Sequence, residues 1–162
     1  MRVHSTLHVD DPNRRVIFEA WHSFAHTLIT GIGKLEPKTA VVWRGVCGDW
    51  ATASHNYGVT RTVIWHGFSS TTMDTERAYL LGYAAHFDKP AGTSVWLFKI
   101  TSHSLRYIGN LSLFEDESEF LLMPQTSLVV TGISTVSVPA GPHEGVRCVE
   151  LVEPQTQNAL HS

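Results

Sequence analysis

Phe68-Ser69-Ser70-Thr71-Thr72, followed at once by Met73-Asp74, decides how this chain folds. The segment closes an apolar run that begins at Thr62, so Thr62–Ser70 reads as a strand rich in β-branched and aromatic residues. Asp74 then has the chemistry of a helix N-cap, because its carboxylate can accept from backbone N–H groups two and three residues on. Behind it Ala78, Leu81, Ala84, Ala85 and Phe87 recur at helical spacing. Lys89-Pro90-Ala91-Gly92 ends that helix in a turn. The next apolar run, Val95-Trp96-Leu97-Phe98-Lys99-Ile100, is a strand again. A single helix is thus inserted between strands.

Working outward, Asp11-Pro12 opens a helix over residues 12–34, with Val16, Ile17, Ala20, Phe24, Leu28 and Ile29 on one face and Gly31-Ile32-Gly33 at its end. Thr39–Val46 is a short strand, and Gly48–Val59 a loop or a short irregular helix. Further strands are expected at Leu105–Ile108, Phe120–Met123, Leu128–Ile133, Thr135–Val138 and Gly145–Val152, with a polar tail from Pro154. Helix first, then mainly strands with one inserted helix, is an α+β order and not the alternation of a parallel sheet. There is no internal repeat and no linker, so residues 1–162 are expected to form one domain.

The bulk numbers limit the function. At 162 residues with 43% hydrophobic content, the chain can build a core without staples. Twelve basic against fifteen acidic residues leave a net charge of −3, which argues against nucleic-acid or membrane partners, since both want a basic patch. Cys47 and Cys148 form no framework and no metal-spaced motif, and are expected as two reduced thiols. The first residues lack the apolar stretch of a signal peptide. A soluble protein is expected, either cytoplasmic or exported as an effector by a dedicated secretion machine.

Three islands carry chemistry: Trp43-Arg44-Gly45, Phe68-Ser69-Ser70-Thr71-Thr72 and Glu117-Ser118-Glu119. An arginine fork suits a phosphate or a ribose. Hydroxyls orient a carboxylate. A carboxylate stabilises a developing cation, as the breaking of a sugar–leaving-group bond requires. In this order the islands resemble the signature of the mono-ADP-ribosyltransferases of the arginine–serine–glutamate class. That family has an aromatic-arginine-glycine on its first core strand, then phenylalanine-any-serine-threonine-serine/threonine, then glutamate-any-glutamate entering an apolar strand, here Phe120-Leu121-Leu122. Ser112-Leu113-Phe114 also resembles the serine and turn aromatic that often precede the carboxylate pair. The resemblance spans roughly residues 12–152. One departure is the density of acids, Glu115, Asp116, Glu117 and Glu119.

The resemblance implies a sandwich of two mainly antiparallel sheets around an NAD cleft. It implies NAD as co-substrate, a protein acceptor as partner and no metal. Glu119 would hydrogen-bond an NAD ribose and stabilise the oxocarbenium; otherwise it is a solvated acid in an acidic turn. Glu117 would serve the acceptor, a role Asp116 or Glu115 could take instead. Arg44 would hold NAD, or else make a structural salt bridge. Gly45 would let the nicotinamide amide approach the backbone. Ser70 would orient Glu119, or be an ordinary edge-strand serine, with Thr71 and Thr72 bracing the cleft. Phe68 is a core residue first and a nicotinamide contact second. Phe114 is open between acceptor recognition and loop packing. His66 is expected to be satisfied by hydrogen bonds, and Trp21, Trp50, Trp65 and Trp96 to be core or cleft wall. The implied reaction is transfer of ADP-ribose to a protein side chain, arginine by motif; NAD glycohydrolysis and a non-catalytic NAD- or protein-binding module are the alternatives.

Overall fold

The structure, a computed structural model, describes residues 12–85, 88–111 and 118–155. The chain divides into two compact units, Met1–Leu35 and Glu36–Ser162. The first contains α1 (Pro12–Gly33), the helix expected there. Its apolar positions Val16, Ile17, Phe24 and Ile29 are exposed, and so is Trp21, which the sequence assigns to a core or cleft wall.

The second unit contains β1 (Pro37–Gly48), α2 (Trp50–Asn56), β2 (Thr62–Trp65), β3 (Ser69–Thr72), α3 (Thr75–Ala84), β4 (Ser94–Tyr107), β5 (Glu119–Leu122), β6 (Thr126–Val136) and β7 (Val146–Val152). This is the α+β order expected. The strands are not two separate sheets, however. Hydrogen bonds join all seven in the order β1-β3-β5-β4-β7-β6-β2, with a further pairing of β1 to β4. Every pairing is antiparallel except β4 with β7. β4 causes the continuity. At fourteen residues it is long enough to pair with β1 throughout, with β7 over Leu97–Thr101 and with β5 at Arg106 and Tyr107.

The sequence breaks β4 at Ser102-His103-Ser104, and the structure does not. The Glu153 carboxylate accepts from the Ser102 hydroxyl (2.6 Å), the His103 and Ser104 amides (3.0 and 3.2 Å) and the Ser104 hydroxyl (2.7 Å). It thereby holds a polar stretch in extended form, beside a register irregularity between Lys38 and Ala40 of β1. Conversely, the expected strand Thr62–Ser70 is two strands. β2 pairs with β6 while β3 pairs with β5 and β1, so the chain must leave the β2 edge of the sheet and enter between β1 and β5 across His66-Gly67-Phe68.

The two faces of β4 carry two cores. Trp96, Phe98 and Ile100 point into one, with Val42, Leu105, Phe120, Leu122, Leu128, Val130, Val149 and Leu151. Leu97 points into the other, with Ala78 and Tyr79 of α3, Val138, Val146 and Cys148. Each such large apolar side chain stabilises the fold by roughly 1.5–3 kcal/mol on burial. α2 covers the first core with Trp50 and Tyr57, whose rings meet Trp96 edge-on at 5.4 and 5.9 Å. Trp65 does the same to Phe98 at 4.9 Å. Neither Cys47 nor Cys148 forms a disulfide, and burial, with Glu150 nearby, pushes the Cys148 thiol up to about 11.

Candidate active site

Alternation along β1 places Arg44 on the same face as Val42 and Val46, because it lies opposite Phe98 in the β4 register. Trp43 and Gly45 face the other way, towards α3. The Gly45 requirement is steric: a Cβ there would lie 1.8 Å from the Ala78 carbonyl oxygen, and one on Gly82 would lie 2.9 Å from Val95 Cγ1. Two glycines therefore let α3 cross β1 in backbone contact. That need is independent of any ligand, and the sequence does not reveal it.

β3 and β5 bring the second and third islands together. Their register pairs Ser70 with Leu121 and Thr72 with Glu119, so Ser70 and Glu119 are diagonal neighbours on one face. Ser70 Oγ donates to Glu119 Oε1 at 2.5 Å. Arg44 Nη1 donates to the Ser70 carbonyl at 2.8 Å. Arginine, serine and glutamate, each on a different strand, form one chain of hydrogen bonds. Arg44 is half-buried, and burial pushes its guanidinium down from its ordinary value. That bond occupies one of five donors of the planar fork and goes to a neutral carbonyl, so among the described residues most of the fork is left for an anion.

Thr71 and Thr72 are buried and act as braces. Thr71 Oγ1 donates to the Phe120 carbonyl at 2.9 Å, locking β3 to β5. Thr72 Oγ1 accepts from the Asp74 amide at 3.1 Å. Asp74 caps α3 as expected, accepting from the Glu76 and Arg77 amides at 2.9 and 3.1 Å. The cleft these elements enclose has a volume of about 260 Å³. It is lined by Trp43, Arg44 and Gly45 of β1, the three residues Ser70-Thr71-Thr72 of β3, Arg77, Ala78 and Leu81 of α3, and Glu119. The volume lies near the lower end of small-ligand sites and suits part of a dinucleotide.

Phe68 is half-buried and outside this lining. His66 Nδ1 meets Gln125 Oε1 at 3.3 Å, the hydrogen-bonded arrangement expected of it. Glu117 and Phe114 lie outside the described residues, as do Glu115 and Asp116. Arg77 and Leu81 are wall residues that the motif reading passes over. Leu81 belongs to the apolar stripe that the sequence predicts for this helix, yet it is more than half exposed and borders the cleft. The available signal was their position, on the first turns of a helix that leaves directly from the Ser70 strand. Among the described residues no cluster of His, Cys, Asp and Glu could hold a metal ion, and no helix is long and apolar enough to cross a membrane.

No family model matches the chain, and no curated protein matches it by sequence. Solved structures do match. Vis toxin, an ADP-ribosyltransferase from Vibrio splendidus, superposes with a TM-score of 0.68 at 16% identity, covering 96% of this chain and 67% of Vis. Vis has also been solved in complex with agmatine, at a TM-score of 0.69. The Salmonella SpvB domain gives 0.63 at 18% identity, covering 88% and 76%. Exoenzyme S from Pseudomonas aeruginosa, solved with human 14-3-3 protein beta and carba-NAD, gives 0.55 at 14%, covering 94% and 64%. The fold of this chain is that of the mono-ADP-ribosyltransferases.

Proposed function

We propose that this protein transfers ADP-ribose from NAD to a side chain of a protein acceptor, releasing nicotinamide. The observation that carries the reading is the hydrogen-bonded chain Arg44–Ser70–Glu119 along one wall of the cleft. Three short motifs that are far apart in sequence meet there in the order the chemistry needs. NAD fits the chemistry of the lining, which offers the Arg44 fork to phosphate and the Glu119 carboxylate to the sugar.

Arg44 holds the dinucleotide through phosphate or ribose. Glu119, oriented by the Ser70 hydroxyl, faces the anomeric carbon of the nicotinamide ribose. As the glycosidic bond breaks, its electron pair leaves with nicotinamide and the ribose becomes oxocarbenium-like. A preorganised carboxylate opposite that cation lowers the barrier by roughly 3–4 kcal/mol. A nucleophilic nitrogen of the acceptor then attacks the anomeric carbon and gives up a proton. Glu117 is the proposed base for that step, with Phe114 as the acceptor-facing aromatic. Arginine is the proposed acceptor residue, on the glutamate-any-glutamate motif. The agmatine complex of Vis supports it, since agmatine carries the guanidinium of an arginine side chain. Bacterial toxins among the structural neighbours support an effector role in a host cell.

Incubation with labelled NAD, with and without a cell extract, tests the reading. Label on an acceptor protein is the expected result. Free ADP-ribose alone would replace transfer by glycohydrolysis, and neither product would leave a binding module. Glu117→Gln should lose most labelling while NAD cleavage by water persists. A fall of both activities by one factor would move Glu117 to the NAD side.

A further inference from the structure

The buried residues of α3 are Ala78, Tyr79 and Gly82, while Leu80 and Leu81 are 49% and 57% exposed and Met73, just before the helix, is 55% exposed. Burying such side chains would stabilise the fold, so packing does not explain why they face water. Nor are they scattered singly, as surface apolar residues ordinarily are. Leu80 and Leu81 line one groove of about 430 Å³ with Asp74, Glu76 and Arg77. Met73 lines a second, of about 250 Å³, with Thr72, Asp74, Arg77 and Ser118. The grooves share Asp74, and each joins the cleft, the first through Leu81 and the second through Thr72. An apolar ledge thus continues the cleft over the outer side of α3. Its rim is acidic. Asp74 and Glu76 stand there against one guanidinium, Arg77, and Ser118 follows Glu115-Asp116-Glu117 in sequence. Such a surface complements a basic segment that also carries an apolar side chain.

We propose that this ledge docks the protein acceptor and takes an apolar side chain next to the arginine that is modified. The proposal rests on the transfer reading above and adds a recognition surface to it. A small guanidine such as agmatine can enter the cleft without touching the ledge. The polypeptide around an arginine has to cross it to bring the nucleophile up to Glu119. The ledge is small, which suits a transient encounter that selects among acceptors.

Two synthetic peptides test this, each with one arginine, flanked by leucines in one and by serines in the other. Agmatine is the control. The full chain should modify the leucine peptide with a kcat/KM about 10-fold above that of the serine peptide, the low end of what an apolar group in a pocket discriminates. Leu80→Ser should abolish that preference and Leu80→Met should keep it. Agmatine modification and NAD cleavage by water should be unchanged in both variants, and both should melt as wild type does. Glu76→Gln should slow modification of the leucine peptide roughly two- to fivefold at low salt and less at high salt. Equal rates on the two peptides in wild type overturn the proposal. So does a loss in Leu80→Ser that is the same for agmatine, which would make Leu80 a support of the cleft. A melting temperature several degrees lower in Leu80→Ser overturns it too, because the side chain would then be packed within the molecule. Wild type that modifies neither agmatine nor either peptide would instead overturn transfer to arginine, and this inference with it.

Discussion

Glu119 and Glu153 are both gripped by serine hydroxyls, yet they are held in opposite ways. The Glu153 carboxylate accepts from two hydroxyls and two amides of Ser102-His103-Ser104, and the His103 ring lies 3.8 Å from it. Among the described residues Glu119 has one such donor, Ser70, and its carboxylate borders the cleft. A carboxylate offers about four lone-pair sites. Glu153 fills them with its own protein and so splices β4. Glu119 leaves most of them for whatever enters. The contrast separates a structural acid from a candidate catalytic one by counting donors, without appeal to any motif.

The sharpest way to break that contrast is to neutralise both acids. Glu119→Gln keeps the shape and removes the charge facing the cation, so NAD cleavage should fall roughly 10²–10³-fold. The melting temperature should stay near wild type, because Glu119 is only half-buried and bonds to one hydroxyl. Cleavage at more than half the wild-type rate would remove Glu119 from this role. Arg44→Lys keeps a charge but loses the fork, and NAD affinity should drop about 10- to 100-fold. Calorimetry decides it, and an unchanged affinity would make Arg44 a strand-pairing residue held by the Ser70 carbonyl.

Glu153→Gln should do the reverse of Glu119→Gln. Cleavage per folded molecule should be unaffected, while urea unfolding should show a loss of about 1–3 kcal/mol, since hydrogen bonds to a charged partner are removed. Its pH behaviour follows. Burial raises the Glu153 pKa, but the Ser102 and Ser104 hydroxyls, the His103 amide and the His103 ring outweigh it and hold the group below its ordinary 4.5. A depressed folded pKa contributes stability that is complete above the unfolded value and is lost as pH falls through the folded one. Acid titration of stability below about pH 4.5 should therefore be flatter in Glu153→Gln than in wild type. Parallel curves would mean that Glu153 does not splice β4.

The same two acids show what the sequence could and could not reveal. Glu119 was legible because it ends a motif and abuts Phe120-Leu121-Leu122, an apolar strand whose place in the core follows from its composition. Asp74 was legible for a similar reason, since N-capping is local chemistry. Glu153 was not. It lies some fifty residues from its partners, and Ser102-His103-Ser104 reads as a strand break until a distant carboxylate satisfies it. The split of Thr62–Ser70 into β2 and β3 was invisible for the same reason, as were the paired glycines under α3. Each depends on which strand becomes a neighbour. The joining of the expected two sheets follows from one such event, the unbroken length of β4.

The smallest predicted effect tests the hydroxyl of Ser70 that grips Glu119. Ser70→Ala removes only the hydroxyl. The Arg44 bond goes to the Ser70 backbone carbonyl and survives the change. Ser70 is exposed, so no cavity forms and the fold should melt as wild type does. What is lost is the restraint on the carboxylate, a charged hydrogen bond worth about 1.5 kcal/mol, or roughly tenfold in rate. NAD cleavage should fall by that factor while NAD affinity changes less. The outcome ranks the roles within the triad. A loss as deep as that of Glu119→Gln would mean that the Ser70 hydroxyl touches the reacting sugar itself. No loss at all would mean that the carboxylate is positioned by its strand register opposite Thr72 and not by its serine, and the parallel with Glu153 would then end at geometry.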